Sequence, residues 1–304
     1  GGLGTDIPKS AILQMSVKTG GFDAEYGNAL SGVVNVITRR GEKNHRLMAR
    51  ADKDNVFGGT QVSKRNELEL AVSGPVAGDN LYYFLANTLI LTDTRWWQDM
   101  QHFFDSPIQK ELNGIGKFDW LLSPSKRLGL QALYSLKRWR DYEFSWRYNL
   151  NGLPSRRRDS YRIALSWTHT ISEKTFYTTR LSFYNLYSEI GENRYIDYNA
   201  EPYDYDFFML YVISGKRNWQ MELNQKDLML KSEITSQIHP YHLLKSGFEL
   251  KQYDISSDVI KLEPQMTYFG KPLIYEPMLN YSTQYHYYPR SGSFYIQDKL
   301  EAGK

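Results

Sequence analysis

Apolar and polar positions alternate along most of this chain from about residue 45 onward, in segments of roughly ten residues. In 128–136, Leu128, Leu130, Ala132, Tyr134 and Leu136 fall on one face, and Gly129, Gln131 and Ser135 on the other. In 161–168, Tyr161, Ile163, Leu165 and Trp167 oppose Arg162, Ala164, Ser166 and Thr168. In 243–251, Leu244, Phe248 and Leu250 oppose Lys245, Gly247, Glu249 and Lys251. Successive side chains of a strand point to opposite faces, so each segment predicts a strand with one apolar and one wet side. Two residues break the pattern. Leu133 stands on a wet face, and Asp298 interrupts the apolar face of 294–300.

Connection lengths alternate as well. Short turns are predicted at 74–80, 123–127, 171–174 and 239–242, and long connections at about 54–65, 93–110, 138–158, 190–225 and 257–290. A meander whose two ends lie in different surroundings has this rhythm, whereas a soluble sandwich has a less regular one and shorter strands. About ten strands are predicted, from near His45 to the C-terminus. The fold class is therefore all-β: an antiparallel, up-and-down transmembrane β-barrel. Residues 1–41 have a different texture, rich in glycine, with short strands expected at Ile12–Val17 and Val33–Thr38. The division expected is 1–41 as one unit and 42–304 as the barrel part. Gly1 follows no signal-like segment, and Leu300-Glu301-Ala302-Gly303-Lys304 reads as mid-strand. A fragment is expected, with its sheet curved but not closed into a cylinder.

Composition fits this picture. The 24 Tyr, 14 Phe and 7 Trp make 15% of the chain aromatic, suiting a protein with boundaries between apolar and aqueous phases. A mean hydropathy of −0.56 is compatible with a barrel, in which only alternate residues meet lipid. No apolar run reaches 18 residues, which excludes an ordinary transmembrane helix. The absence of cysteine excludes disulfides, thiolate metal sites and catalytic thiols. A net charge of +3 gives no nucleic-acid footprint.

Residues 20–41 carry the most specific motif: Gly20-Gly21, then Glu25-Tyr26-Gly27, then Gly32-Val33-Val34-Asn35-Val36-Ile37-Thr38, and Arg39 to Gly41. This order resembles the end of the plug domain of TonB-dependent outer-membrane receptors, in the form common in Bacteroidetes-type bacteria. Ser73-Gly74-Pro75-Val76 before Tyr82-Tyr83-Phe84, Phe118-Asp119-Trp120 before Leu122-Ser123-Pro124, and Tyr295-Ile296-Gln297-Asp298 resemble barrel segments of that family. The resemblance covers the plug's end and a little under half of a barrel of about 22 strands. It implies a bacterial outer-membrane location and energy-coupled uptake of a scarce nutrient. The implied partners are outer-membrane lipid, a TonB-type inner-membrane complex acting through a segment that is missing here, and, as a further candidate, a surface lipoprotein. Gly20, Gly21, Gly27 and Gly32 are expected to permit backbone conformations or close approaches that a side chain would block. Asn35 is expected to hydrogen-bond inside a wet lumen. Plug folding and plug–wall packing account for all these residues better than ligand contact does.

Trp96, Trp97, Tyr203, Tyr205 and Tyr285 are the candidate substrate-contacting residues of the long loops, with Trp96-Trp97 equally suited to an aromatic girdle. Tyr195, Tyr198, Asp197 and Glu201 belong to the same Tyr-rich, acidic loop stretch as Asp204 and Asp206, which lacks the spacing of a calcium loop. His239 and His242 flank Pro240-Tyr241 and read as a turn rather than a metal site. Arg156-Arg157-Arg158 is an anion-binding candidate weighed against a hydrated loop end. No catalytic motif, cofactor motif or metal-ligand set is present in the sequence, so no enzyme activity is expected. The alternatives are a passive porin or adhesin barrel, a secreted carbohydrate-binding β-protein and, with no site to support it, an outer-membrane enzyme. Siderophore, cobalamin, glycan and peptide all stay open as substrate, with the Tyr-rich, mixed-charge loops leaning toward glycan or peptide.

Overall fold

A computed structural model of the chain describes residues 6–27, 32–54, 63–191, 203–206, 208–267, 273 and 276–300. Two short strands, β1 (Ile12–Lys18) and β2 (Val33–Thr38), pair antiparallel as a separate ribbon. Then follow β3 (Arg46–Lys53), β4 (Asn66–Ala77), β5 (Leu81–Thr92), β6 (Gln109–Ser123), β7 (Lys126–Arg140), β8 (Ser155–Ser172) and β9 (Thr175–Ile190). A small hairpin, β10 (Asp204–Asp206) with β11 (Tyr211–Ser214), precedes β12 (Asn218–His239) and β13 (His242–Glu263). The last strands are β14 (Leu279–Asn280), β15 (Thr283–Tyr287) and β16 (Arg290–Leu300).

The large sheet runs β3-β4-β5-β6-β7-β8-β9-β12-β13, and β13 carries β14, β15 and β16 on its other edge. All its pairings are antiparallel between neighbours in the meander. Its ten long strands match the number read from the sequence. Among the described residues β3 and β16 are not paired with each other, so the sheet is open, an incomplete up-and-down barrel wall. β15 and β16 together line the edge of β13, and Pro289 separates them. Proline cannot donate to a ladder, and an edge strand tolerates such a break.

The wall is inverted relative to a soluble protein. On one face Leu165 is 42% exposed, Ile163 49% and Leu181 46%, whereas Ser135, Ser160, Asn113 and Glu69 on the other are buried. No described element packs over the apolar face. Register aligns its side chains into rows: Leu112 with Leu136, Tyr134 with Tyr161, Phe118 with Leu130 and Leu165, Trp120 with Leu128 and Trp167. From Leu112 to Leu122 the strand rises about 34 Å, which at a tilt of about 45° spans about 24 Å of lipid. Gly114 serves this face directly. The Tyr134 ring lies over it, where an added Cβ would stand 2.4 Å away, and the Tyr134 hydroxyl donates to Asn87 Oδ1. The Asn87 amide of that row thus finds a partner on the same face.

Both irregular positions of the sequence pattern have physical reasons. Leu133 points inward because it joins Ala71, Phe84, Ala86 and Ile115 against Ala11 of the N-terminal segment. Asp298 lies beside the last short turn, where it pairs with His242 Nδ1 at 2.7 Å. The turns are shorter than the sequence suggested. β4 continues past Gly74 and Pro75 to Ala77, with a register shift at Pro75. At the other end β12 and β13 each run for 22 residues, deep into the stretches read as loops. Beyond the lipid band both faces of a strand are wet, so the ladder continues after the alternation that betrays it has ended.

Candidate functional site

Two regions position the candidate residues: the seat of the N-terminal segment against the inner face of the wall, and a layer built from the long loops.

At the seat, β1 and β2 hold the motif. Its contacts with the wall are mostly polar and lie at both sides of the sheet. On β4, Ser10 N–H donates to Glu69 Oε1 at 2.7 Å and Lys9 Nζ to Glu67 Oε1 at 3.1 Å. On β6, Lys117 Nζ donates to the carbonyl of Thr38 at 3.2 Å. On β12 and β16, Glu25 faces Lys231 at 3.8 Å and Ala24 N–H donates to Gln297 Oε1 at 3.1 Å. Lys231 also pairs with Glu233 at 2.7 Å, which accepts from the Tyr295 hydroxyl at 2.9 Å. Asp6 and Arg158 are 3.7 Å apart. Ile7 and Ala11 add apolar contact with the Phe84 cluster. Ser10 Oγ and Glu69 Oε2, both buried at this seat, have no hydrogen-bond partner among the described residues.

The motif residues divide accordingly. Glu25 and Thr38 touch the wall, and Tyr26 closes a 3-10 turn at Ala24–Tyr26 that ends at Gly27. Gly21 has φ +61°, a conformation that favours glycine, and Gly32 has open space apart from the Lys18 carbonyl, 3.4 Å from where a Cβ would stand. Gly20 and Gly27 have neither a positive φ nor a close neighbour, so the expected constraint is not found there. Asn35 pairs with Ser16 through the backbone ladder, and its exposed side chain forms no hydrogen bond among the described residues. Of the wall residues of the seat, only Gln297 lay in a segment singled out in the sequence; Glu67, Glu69, Lys117 and Lys231 did not. A charged residue on the wet side of a spanning strand was the available signal.

The loop layer is a second core. Met100, Ile108, Trp146, Leu150, Leu153 and Val212 are buried together, with Phe103, Phe104, Tyr142, Tyr203 and Tyr205 packed around them. Three connections supply them: 93–108 with its short helix α1 (Trp97–Met100), 141–154 with two 3-10 turns, and 203–217 with the β10–β11 hairpin. Asp99 ties the first two, accepting from the Tyr142 hydroxyl at 2.5 Å and from Arg147 at 3.1 Å. Burial, then the bond to Asp99, pushes the Tyr142 hydroxyl up to about 12. Glu143 pairs with Arg217, and Arg217 N–H donates to the Gly152 carbonyl at 2.9 Å, tying the second to the third. Arg217 also stands 5.0 Å over the Trp146 ring, and Tyr203 meets that ring edge-on at 5.0 Å.

Tyr203 and Tyr205 therefore belong to the packing of this layer. Trp96 is 41% exposed, stacked on Tyr142 at 4.4 Å with Arg95 4.7 Å from its ring. Trp97 is half-buried beneath Lys64 at 5.0 Å. Tyr285 sits apart, on β15, lining a recess of about 500 Å³ with Glu222, Ser257, Asp258, Gln284 and His286. Tyr195, Tyr198, Asp197 and Glu201 lie outside the described residues. Asp206 caps a turn by accepting from Met209 N–H at 2.9 Å, and no group of metal-ligating side chains occurs among the described residues. His239 and His242 bracket the turn between β12 and β13, as expected.

No family model matches the chain, and no curated protein matches it by sequence. Its fold does match solved structures. The siderophore receptor PirA from Acinetobacter baumannii superposes with a TM-score of 0.65 at 16% identity, over 96% of this chain and 42% of that one. The outer membrane transporter YddB from Escherichia coli gives 0.62 at 12% identity, over 96% and 41%. BauA, the ferric preacinetobactin receptor of Acinetobacter baumannii, gives 0.55 at 10%, over 90% and 41%. The chain thus spans less than half the length of each of these three, and it has the plug-and-wall fold of the TonB-dependent outer-membrane receptors that its motif resembles. These neighbours are receptors and transporters rather than enzymes. The wall's apolar face is exposed, as the outer face of a transmembrane barrel is.

Proposed function

We propose that the chain is part of a TonB-dependent receptor that imports a scarce nutrient, with residues 1–41 the end of its plug and 42–304 the first part of its barrel. Nutrient binds the extracellular loop layer and the top of the plug. An inner-membrane complex driven by the proton gradient then pulls on plug residues that precede this chain. The need is physical. A barrel of about 22 strands leaks without a stopper, and the outer membrane holds no ATP or ion gradient of its own.

The observation that carries this reading is the chemistry of the seat. Single hydrogen bonds and ion pairs at β4, β6, β12 and β16 hold the segment, and its apolar contact is small. Such contacts exchange for water when the segment moves, whereas a large apolar interface would resist. A passive porin has no use for this segment.

The siderophore specificity of PirA and BauA suggests one substrate class, and the aromatic loop layer suits a glycan or peptide equally. The test is uptake by cells carrying the full-length receptor, with fluorescently labelled siderophore, oligosaccharide and peptide probes. One probe is expected to accumulate, and an ionophore that collapses the proton gradient is expected to abolish that. Accumulation that persists without the gradient contradicts energy coupling and favours a passive barrel.

A further inference from the structure

Register fixes which side chains of the tallest strands face the lumen. Lys231 of β12 meets Glu25 of the seated segment, and Glu233 accepts from the Tyr295 hydroxyl, so the odd-numbered residues of β12 point inward. Lys231 is in register with Glu249, Ser257 with Tyr285 and Ile255 with Tyr287, which sets the same parity on β13 and β15. Tyr285 and Tyr287 therefore stand on the inner side in successive rows. Tyr253 occupies the row after them, where its N–H donates to the Pro289 carbonyl at 2.9 Å. Lys231 and Glu249 lie two rows further down, where the segment rests. The three tyrosines thus descend from the loop end of the wall toward the seat. Glu222, Asp258 and His286, which share the recess beside Tyr285, alternate to the outer side, where His286 meets Asp254 at 2.7 Å.

The inner strip is neutral. From Val259 to Tyr253 on β13 and from Thr283 to Tyr287 on β15, no inward residue is charged. Charges bound the strip instead: Lys261 above it, and the Lys251–Glu249 pair below. The rings of Tyr285 and Tyr287 form a stacked pair, 5.4 Å apart and 24° from parallel, and Tyr287 is 62% exposed. The hydroxyls of Tyr253, Tyr285 and Tyr287 form no hydrogen bond among the described residues. Aromatic faces with hydroxyl tips and no charge match one ligand chemistry. A sugar ring has an apolar C–H face that packs on an aromatic ring, and hydroxyls that both donate and accept, as a tyrosine hydroxyl does. An anionic siderophore complex calls for cations, and charged peptide side chains would lose water here without gaining a partner.

We propose that Tyr285, Tyr287 and Tyr253 form a ladder for a neutral oligosaccharide, which it conducts from the loop layer down to the seated segment. This rests on the reading that nutrient passes from the loops to the plug through the lumen, and it selects one substrate class for that path.

The test is isothermal titration calorimetry on the detergent-solubilised full-length receptor. The probes are neutral hexasaccharides of glucose, mannose and xylose, a mixture of charged hexapeptides, and a ferric catecholate siderophore. A neutral hexasaccharide is expected to bind. Tyr285→Ala and Tyr287→Ala should each weaken that binding about tenfold, and Tyr285→Phe, which keeps the ring and its packing, about threefold. His286→Ala, on the outer side of the same strand, should leave it unchanged. Absence of saccharide binding, whatever the other probes do, or a Tyr285→Ala/Tyr287→Ala variant that binds sugar as the wild type does, overturns the inference while gradient-driven uptake can still hold. Saccharide binding that depends on the tyrosines, with uptake that persists after the proton gradient collapses, supports the ladder and overturns energy coupling.

Discussion

The seat of the N-terminal segment and the loop layer use opposite means to hold a segment in place. The seat joins strands far apart in sequence through single polar contacts. The loop layer joins three connections through a buried apolar core ringed by aromatic side chains and bound by shared arginines. Polar contacts trade with water at little net change in free energy, and an apolar core does not. The difference teaches that one region suits displacement and the other suits keeping a surface in one shape.

The largest expected effect is at Trp146, which is 1% exposed at the centre of the loop layer. Trp146→Ala should destabilise that layer by about 3–5 kcal/mol. Hydrogen exchange of residues 141–154 and 203–217 should accelerate, while the ladders of β6 to β9 keep their protection. Loss of protection in the ladders as well would show that the two regions are not separable.

An intermediate effect is expected at Asp99. Asp99→Asn should weaken the layer by about 1–3 kcal/mol by loosening the Tyr142 and Arg147 contacts. Tyr142 provides a pH signature. Its folded-state value of about 12 lies above the ordinary tyrosine value, so the protonated hydroxyl is favoured in the folded layer. This contribution is complete below about pH 10 and is lost as pH rises from about 10 toward 12. Ultraviolet difference titration should show a late-ionising tyrosine component in the wild type, part of which ionises earlier in Asp99→Asn.

The smallest effect on stability is expected at the seat. Glu25→Gln removes one partly exposed ion pair with Lys231, worth about 0.2–1 kcal/mol. Thermal stability should hardly change, yet passive entry of a small antibiotic through the full-length receptor should rise. A large loss of stability without a change in permeability would mean that the seat, like the loop layer, holds fast.

How much of this was legible in the sequence depends on the surroundings of each residue. Alternation in 128–136 and 161–168 exposed the wall because lipid meets one face of β7 and β8 and water or plug the other. The same rule failed over 218–227, where β12 continues above the lipid band and neither face is uniformly apolar. Trp146, Leu150 and Met100 show no periodicity because loop backbone, not a repeating strand, brings them together. Tyr203 and Tyr205 read as ligand-contacting because aromatic residues in a long loop look alike whether they face a core or a substrate. The seat needed tertiary knowledge: Glu25 and Lys231 are separated by most of the chain, and nothing local to either predicts the pair.

In the proposed uptake cycle the segment seated against the inner face of the wall must move. The direct measurement places Glu25→Cys and Lys231→Cys in the full-length receptor, joins them with a short cleavable bifunctional thiol reagent, and follows nutrient uptake. Uptake should stop when the two sites are joined and return when the linker is cleaved, with each single variant transporting normally throughout. Undiminished uptake in fully cross-linked receptor would contradict the account.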